Sequence, residues 1–162
     1  MTREHMQFLA DSIRKYNIQH VHFTTGQCLQ MHGLDGDTIL NLFKECHEHG
    51  IYNRGAGGDN PNVVASILRG IDPRETLDIT PYAAAISEFL MEQMFYIKLP
   101  RKFKMAIDNG FDSTPHTTFK DLGFNLTKYN TFDVYACGGL GPNPRMGIPV
   151  AHDVQPEDVL YY

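Results

Sequence analysis

The 162-residue sequence contains no long hydrophobic segment. No run approaches the roughly 18 consecutive apolar residues that a membrane-spanning helix needs. The first residues, MTREHMQFLADSI, are polar and amphipathic, unlike the apolar core of a secretory leader. We therefore expect a cytoplasmic protein that has no membrane partner.

An excess of positive charge is also missing. The chain has 14 Lys and Arg against 19 Asp and Glu, which gives a net charge of −5. This balance argues against a general nucleic-acid-binding protein, although a local basic patch can still hold a small anion.

Cysteine is scarce, with only Cys28, Cys46 and Cys137, and no CxxC pair is present. Neither a zinc site nor an iron–sulfur cluster can be built from these cysteines alone, so we expect three reduced thiols. The segment CHEH, residues 46–49, lies at the end of a predicted helix. Its side chains would fan around the helix axis, and we predict no metal site there.

Hydrophobic periodicity predicts an α+β fold. We expect helices near residues 2–16, 38–49 and 81–96, and strands near 18–24, 28–33, 102–108, 118–126 and 131–137. Asp37 is the predicted cap of the second helix, and alternation in IQHVHF predicts one buried face for the first strand. GIPVAHDV predicts another short strand. A final helix begins at Pro156 and stops in its second turn, which favours a truncated or cleaved end.

The most unusual stretch is LPRKFKMAI, residues 99–107, which gathers Arg101, Lys102 and Lys104 within four positions. Side chains two apart on a strand point to one side. Lys102 and Lys104 should therefore share a face, and Phe103 should point into the core. Taken alone, such a stretch is usually a solvated strand end.

Other polar stretches have the composition of an anion-binding cleft, in which lysines supply charge while hydroxyls and amides fix orientation. The glycine-rich loop 54–62 has neither GxGxxG nor GK[ST], so taken alone it indicates a turn. Exposed glutamines are common on strands, and His32 is as readily a structural histidine as a ligand neighbour. The candidate residues of these stretches are Thr24, Thr25, Gln27, Gln30, His32 and Asn62, with Gly138 and Gly139 allowing close backbone approach.

The order of five segments resembles the siroheme-dependent nitrite and sulfite reductases from about residue 3 to Tyr162. These segments are HFTTGQCLQMHGL, GAGGDNPNVV, LPRKFKMAI, DLGFNL and GGLG. The resemblance implies a ferredoxin-like half-domain over residues 1–52, which lacks a strand expected before Thr2. It implies a mixed α/β siroheme-domain repeat, truncated at Tyr162, over residues 53–162.

In such enzymes a small oxyanion undergoes six-electron reduction at a siroheme that a cysteine thiolate links to a 4Fe–4S cluster. The resemblance implies that Lys102 and Lys104 bind the anionic substrate and the macrocycle carboxylates and assist proton delivery. Siroheme carries eight carboxylates, which would explain the gathered cations. The implied cofactor contacts are Thr24, Thr25, Gln27, Gln30, His32, Asn62, Arg101, Gly138 and Gly139.

The departures from this family concern arginines and cysteines. Three family arginines would fall at His22, Gly26 and Pro61, and neither glycine nor proline can replace a guanidinium. His22 could replace one charge only when protonated. The cluster cysteines belong to a second repeat that this sequence does not contain.

We therefore expect the chain alone to hold neither siroheme nor cluster and to be inactive. Its partners would be the C-terminal half of the same polypeptide or a second subunit that carries the cluster, together with an electron donor. The alternative is a degenerate stand-alone homologue that acts as a binding or scaffold module. The absent arginines favour the alternative, whereas the retained PRKFK and the abrupt end favour the reductase. An unrelated α/β domain with a chance RKFK fits the order of the segments poorly.

Overall fold

The computed structural model describes residues 1–52, 63–93, 96–100 and 103–162. The chain divides into two compact units, Met1–Ala56 and Gly57–Tyr162. Both units combine helices with strands, so the predicted α+β class is confirmed. No helix within the described ranges is long and apolar enough to cross a membrane.

The first unit has the order helix, strand, strand, helix, as predicted. Its elements are α1 Arg3–Lys15, β1 His20–Phe23, β2 Leu29–His32 and α2 Gly36–Glu48. Thr2 caps α1 by accepting a hydrogen bond from the His5 N–H. The cap of α2 is Asp35, which accepts a 2.8 Å bond from the Thr38 N–H, so the prediction of Asp37 was wrong by two residues. Asp37 instead supplies negative charge to the first turn, where it favours the helix dipole.

The core of the first unit lies against β2 rather than β1. Antiparallel pairing places Val21 opposite Met31 and Phe23 opposite Leu29. Leu29 and Met31 are half-buried against a cluster of Leu9, Ile18, Leu42 and Cys46. Val21 and Phe23 are 38% and 66% exposed, so the predicted buried face of the first strand is absent. The helical residues of that cluster therefore cover only one of the two strands.

The second unit is a five-stranded sheet in chain order. Its strands are β3 Val63–Ala65, β4 Met105–Asp108, β5 Leu122–Leu126, β6 Phe132–Ala136 and β7 Ile148–Val154. The first three strands are parallel, and β6 and β7 continue antiparallel. Helix α3, Thr80–Gln93, connects β3 to β4, and 3-10 helices cover Thr117–Phe119 and Pro156–Tyr161.

Strand β4 is buried along its whole length, as expected for an inner strand of a parallel sheet. The core around it contains Ile107, Phe124, Phe132 and Val134. Phe103 is half-buried and packs against this core, as predicted. The strand itself starts at Met105 instead of residue 102, so strand alternation alone does not set the direction of the Lys104 side chain.

Strand β5 begins at Leu122, four residues later than predicted, because residues 117–119 form a 3-10 helix. This helix lies directly on the strand at Gly123. A Cβ atom at Gly123 would lie only 2.0 Å from the Thr117 carbonyl oxygen. The glycine therefore allows the segment before β5 to fold back onto the sheet.

Candidate functional site

The candidate site of the second unit lies where β4 and β5 begin. The Lys104 N–H donates a 2.8 Å hydrogen bond to Asp121 Oδ2, and the Lys104 carbonyl accepts from the Leu122 N–H at 3.2 Å. These two bonds fix the Lys104 backbone beside the start of β5. Its side chain is exposed.

Three predicted site residues lie outside the described part of the chain, namely Asn62, Arg101 and Lys102. The prediction that Lys102 and Lys104 share one face therefore stays a prediction.

The structure brings a second lysine to this place. Lys120 is half-buried, and its pKa is lowered by burial and, next in size, by the positive charge of Lys104. The Asp121 carboxylate acts in the opposite direction on the pKa of Lys120. Lys120 was not among the predicted site residues, although it lies within the predicted strand 118–126. Neither its burial nor its proximity to the charge of Lys104 can be deduced from the sequence.

Gly138 is held at the same end of the sheet. Its N–H donates a 2.9 Å hydrogen bond to the Lys120 carbonyl, and the Cys137 N–H donates at 2.9 Å to the Asp121 carbonyl. A Cβ atom at Gly138 would lie 2.6 Å from the Phe119 Cα atom and 2.7 Å from the Lys120 oxygen. The close approach that this glycine allows is therefore to the 119–120 backbone.

Gly139 is different, because a Cβ atom there would meet none of the described residues within 4 Å. Its N–H donates to the Arg145 carbonyl at 3.0 Å, and the Arg145 N–H donates back at 2.9 Å. We call Lys104, Lys120, Gly138, Gly139 and Arg145 the basic sheet end. Lys104 and Lys120 supply positive charge there, Arg145 is joined to Gly139 through its backbone, and a Cβ atom at Gly139 would meet none of the described residues.

The candidate residues of the first unit lie on the β1–β2 hairpin. Pairing places His22 opposite Gln30 and His20 opposite His32, so these four side chains share one face. All four are exposed. The rings of His20 and His32 meet edge to face with centroids 5.6 Å apart. The structure thus brings Gln30 and His32 together, with two further histidines that the sequence analysis did not assign to a common site.

The hairpin turn contains Thr24, Thr25 and Gln27. The Thr24 hydroxyl accepts a 3.2 Å hydrogen bond from the Cys28 N–H, and the Gln27 N–H donates to the Thr24 carbonyl at 3.0 Å. Thr24 is therefore engaged in shaping the turn, whereas the side chains of Thr25 and Gln27 are exposed. The predicted cleft that combines these residues with Lys104 involves both units and stays a prediction.

A cavity of about 510 Å³ borders the hairpin within the first unit, and its lining includes Tyr16, Asn17, His20, His32 and Asp35. This volume falls within the range of small-molecule sites. No group of three or more His, Cys, Asp or Glu in the described ranges is placed to hold a metal ion.

The three cysteines do not fit an iron–sulfur cluster. Cys28 is exposed and Cys46 is buried in the first unit, and Cys137 is the only cysteine of the second. In the CHEH segment, the His49 ring stacks on Phe8 at 4.0 Å and the His47 ring meets Tyr52. These side chains diverge, as the helical spacing predicted.

Comparison with known proteins connects both units to one family. The model of the nitrite/sulfite reductase ferredoxin-like half domain matches residues 1–49, and that of the nitrite and sulphite reductase 4Fe-4S domain matches residues 56–162. A ferredoxin–nitrite reductase of Synechococcus elongatus is 29% identical, with 89% of this chain and 28% of that protein covered. The chloroplastic ferredoxin–nitrite reductase of Spinacia oleracea is 28% identical over 98% of this chain and 28% of its own length.

Sulfite reductases match as well. Sulfite reductase [ferredoxin] 2 of Mycolicibacterium paratuberculosis is 27% identical, covering 76% of this chain and 23% of the relative. The structure of the Mycobacterium tuberculosis NirA protein superposes with a TM-score of 0.76 at 23% identity, covering 96% of this chain and 29% of NirA. The chain therefore spans less than a third of the length of these relatives. Because the two family models together match nearly all of its residues, the chain belongs to the nitrite and sulfite reductase family.

Proposed function

We propose that this chain forms part of a siroheme- and iron–sulfur-dependent nitrite or sulfite reductase. In this proposal it contributes residues that bind siroheme carboxylates and the small oxyanion substrate. The observation that carries the proposal is the exposed Lys104 of the retained LPRKFK motif, held beside Lys120 at the basic sheet end.

The chemistry of the basic sheet end suits a carboxylate or an oxyanion. A lysine ammonium offers three donors and no acceptor. Its hydrogen bonds to an anion contribute about 1.5–3 kcal/mol each when partly shielded from water. Lys102 and Lys104 would bind the substrate anion and supply protons to the oxygen atoms that leave during reduction. Siroheme and the cluster, when bound, would pass electrons from the separate electron donor to the substrate.

The hairpin would add neutral hydrogen-bond partners. Thr25, Gln27, Gln30 and His32 are exposed and offer a hydroxyl, two carboxamides and an imidazole. Such groups orient a bound macrocycle without adding fixed charge. Asn62, Arg101, Gly138 and Gly139 complete the proposed contacts.

The cluster would come from elsewhere, because the three cysteines of this chain are fewer than the four that a cluster needs and are widely spaced in the sequence. We propose that the remaining C-terminal half of the same polypeptide, or a second subunit, provides it. This chain alone would then be inactive, and a separate electron donor would serve the assembled enzyme.

The alternative, a binding or scaffold module, is favoured by Gly26. Among the described residues, a Cβ atom at Gly26 would meet only the Thr24 hydroxyl, at an ordinary 3.5 Å. Within that part of the chain, lack of space does not explain the glycine where the family arginine is expected. A chain that no longer binds the substrate anion could lose that arginine without cost.

The test is made on the whole native polypeptide that contains this chain. We expect it to carry siroheme, seen by its absorbance, and to reduce nitrite or sulfite with a chemical electron donor. Lys104→Met should lower siroheme content or turnover at least tenfold, whereas Lys128→Met, which removes the same charge beyond the other end of β5, should not. A protein without siroheme and turnover would support the scaffold instead.

A further inference from the structure

We propose that Lys120 is a second cationic anchor, beside Lys104, for the carboxylate or oxyanion that the basic sheet end binds. This inference rests on the proposed function and adds a residue to it.

The backbone around Lys120 is held by hydrogen bonds to two neighbouring segments. The segment 120–122 is bonded on both sides, since Asp121 and Leu122 bond Lys104, and the carbonyl of Lys120 accepts from Gly138. Lys120 is therefore held between the residue before β4 and the turn after β6. Its long side chain can therefore change conformation while its backbone stays fixed.

The ammonium group of Lys120 has no polar side-chain partner among the described residues. Lys120 forms no salt bridge and no side-chain hydrogen bond there, and its Nζ atom lies 5.8 Å from the centroid of the Phe119 ring. A half-buried ammonium normally has a partner, because removing a charge from water without one costs free energy. Asp121 is close enough to influence the pKa of Lys120, but it forms no salt bridge with Lys120, and its Oδ2 atom accepts the Lys104 N–H.

The positive charge of Lys104 lies close enough to affect Lys120. Burial and the Lys104 charge both lower the pKa of Lys120, so both disfavour its charged form. An anion near the two ammonium groups would offset both effects, adding to the smaller contribution of Asp121. The charged forms of Lys104 and Lys120 are therefore more stable with an anion bound than without one. A lysine fully exposed to solvent would gain much less from such an anion.

Two sources could supply such an anion, the carboxylates of a tetrapyrrole or a free oxyanion. The 162-residue chain, isotopically labelled, is titrated separately with uroporphyrin, an iron-free tetrapyrrole octacarboxylate, and with sulfite. Binding is followed by NMR, which also detects weak complexes. The variants are Lys104→Met, Lys120→Met, Lys120→Arg and Lys128→Met, each checked for folding by its thermal melt.

We expect Lys120→Met to weaken binding of at least one probe about tenfold, as removal of one charge-assisted hydrogen bond implies. Lys120→Arg should retain most of the binding, and Lys128→Met should show only a small general charge effect. Whichever probe responds identifies the source of the anion.

Two results would overturn the inference in different ways. If Lys104→Met weakens binding while Lys120→Met behaves like Lys128→Met, then Lys120 is not an anchor, although the proposed function stands. If Lys104→Met also matches Lys128→Met with both probes, the basic sheet end is not an anion site, and the proposed function loses its main support as well.

Discussion

The Thr117 hydroxyl donates a 2.8 Å hydrogen bond to Oδ2 of the buried Asp108 carboxylate. Three more donors reach this carboxylate: the Asn125 amide at 2.8 Å, the Gly110 N–H at 3.0 Å and the Leu126 N–H at 3.1 Å. Asp108 thus joins the end of β4 to β5 and to the 3-10 helix before it.

We predict that Asp108→Asn lowers the free energy of unfolding by about 1–3 kcal/mol, because its amide nitrogen would replace an acceptor that two donors share. Burial raises the pKa of Asp108 despite its hydrogen bonds. The folded state therefore binds this proton more readily than the unfolded state. The stabilisation from Asp108 is complete below the ordinary pKa near 3.8 and is lost as pH rises through the folded-state pKa.

The penalty of Asp108→Asn should therefore grow as pH falls through that window, as measured by urea unfolding at several pH values. Asp112→Asn is the matched control. Burial of Asp112 is outweighed by hydrogen bonds from Thr114 and from the Ile67 N–H, so its pKa is lowered. Its stabilisation is lost as pH falls. Two variants with the same pH trend would contradict these assignments.

We predict that Gly138→Ala lowers the free energy of unfolding by about 1–3 kcal/mol, as overpacking does. The added Cβ atom would contact the 119–120 backbone at 2.6–2.7 Å, and backbone cannot rotate away as a side chain can. Gly139→Ala, where the space is open, should change stability by less than about 0.5 kcal/mol. Equal thermal shifts for the two variants would show that the approach of Gly138 to Lys120 is looser than the structure has it.

We predict that Gly26→Arg strengthens binding of sulfite or uroporphyrin to the 162-residue chain about three- to tenfold. The described neighbours of Gly26 leave room for a Cβ atom, and a guanidinium provides the forked donors that anions prefer. Gly26→Met adds a side chain of similar length without charge and should leave the affinity unchanged. An arginine that gives no more binding than methionine would argue that the hairpin does not face the anion.

We predict that Lys104→Met raises the pKa of Lys120 toward its ordinary value, because it removes the second-largest cause of the lowering. The measurement is the pH titration of the lysine Cε resonance by NMR. Lys128→Met should leave this titration unchanged. A pKa of Lys120 that does not respond to Lys104→Met would contradict an effect of the Lys104 charge on Lys120.

Local pattern was sufficient for most elements of the fold. The helices and strands of the first unit lie within two residues of their predicted bounds, because alternation and helical spacing act over short distances. The burial of β1 could not be predicted in this way. Val21 and Phe23 alternate like buried residues, yet the helical core residues pack against Leu29 and Met31 of the partner strand.

The candidate site was harder to predict than the fold. The order of the motifs predicted Lys104 and Gly138 as site residues, and the structure places both at one end of the sheet. Lys120 was not predicted as a site residue, because its proposed role depends on its burial and on the charge of Lys104, which lies 16 positions earlier in the chain. Neither the burial of a side chain nor its distance from another charge can be deduced from spacing in the sequence.

Asp121 forms hydrogen bonds to the beginning of β4 through its carboxylate and to the end of β6 through its carbonyl. The backbone segments that carry Lys104, Lys120 and Gly138 are therefore joined by hydrogen bonds before an anion binds. Ordering of these backbones is completed when the sheet folds, so binding has to restrict only the two lysine side chains. Such preorganisation leaves more of the interaction free energy available for affinity. Substitution of Asp121 would remove the link through its carboxylate, and with it part of that advantage.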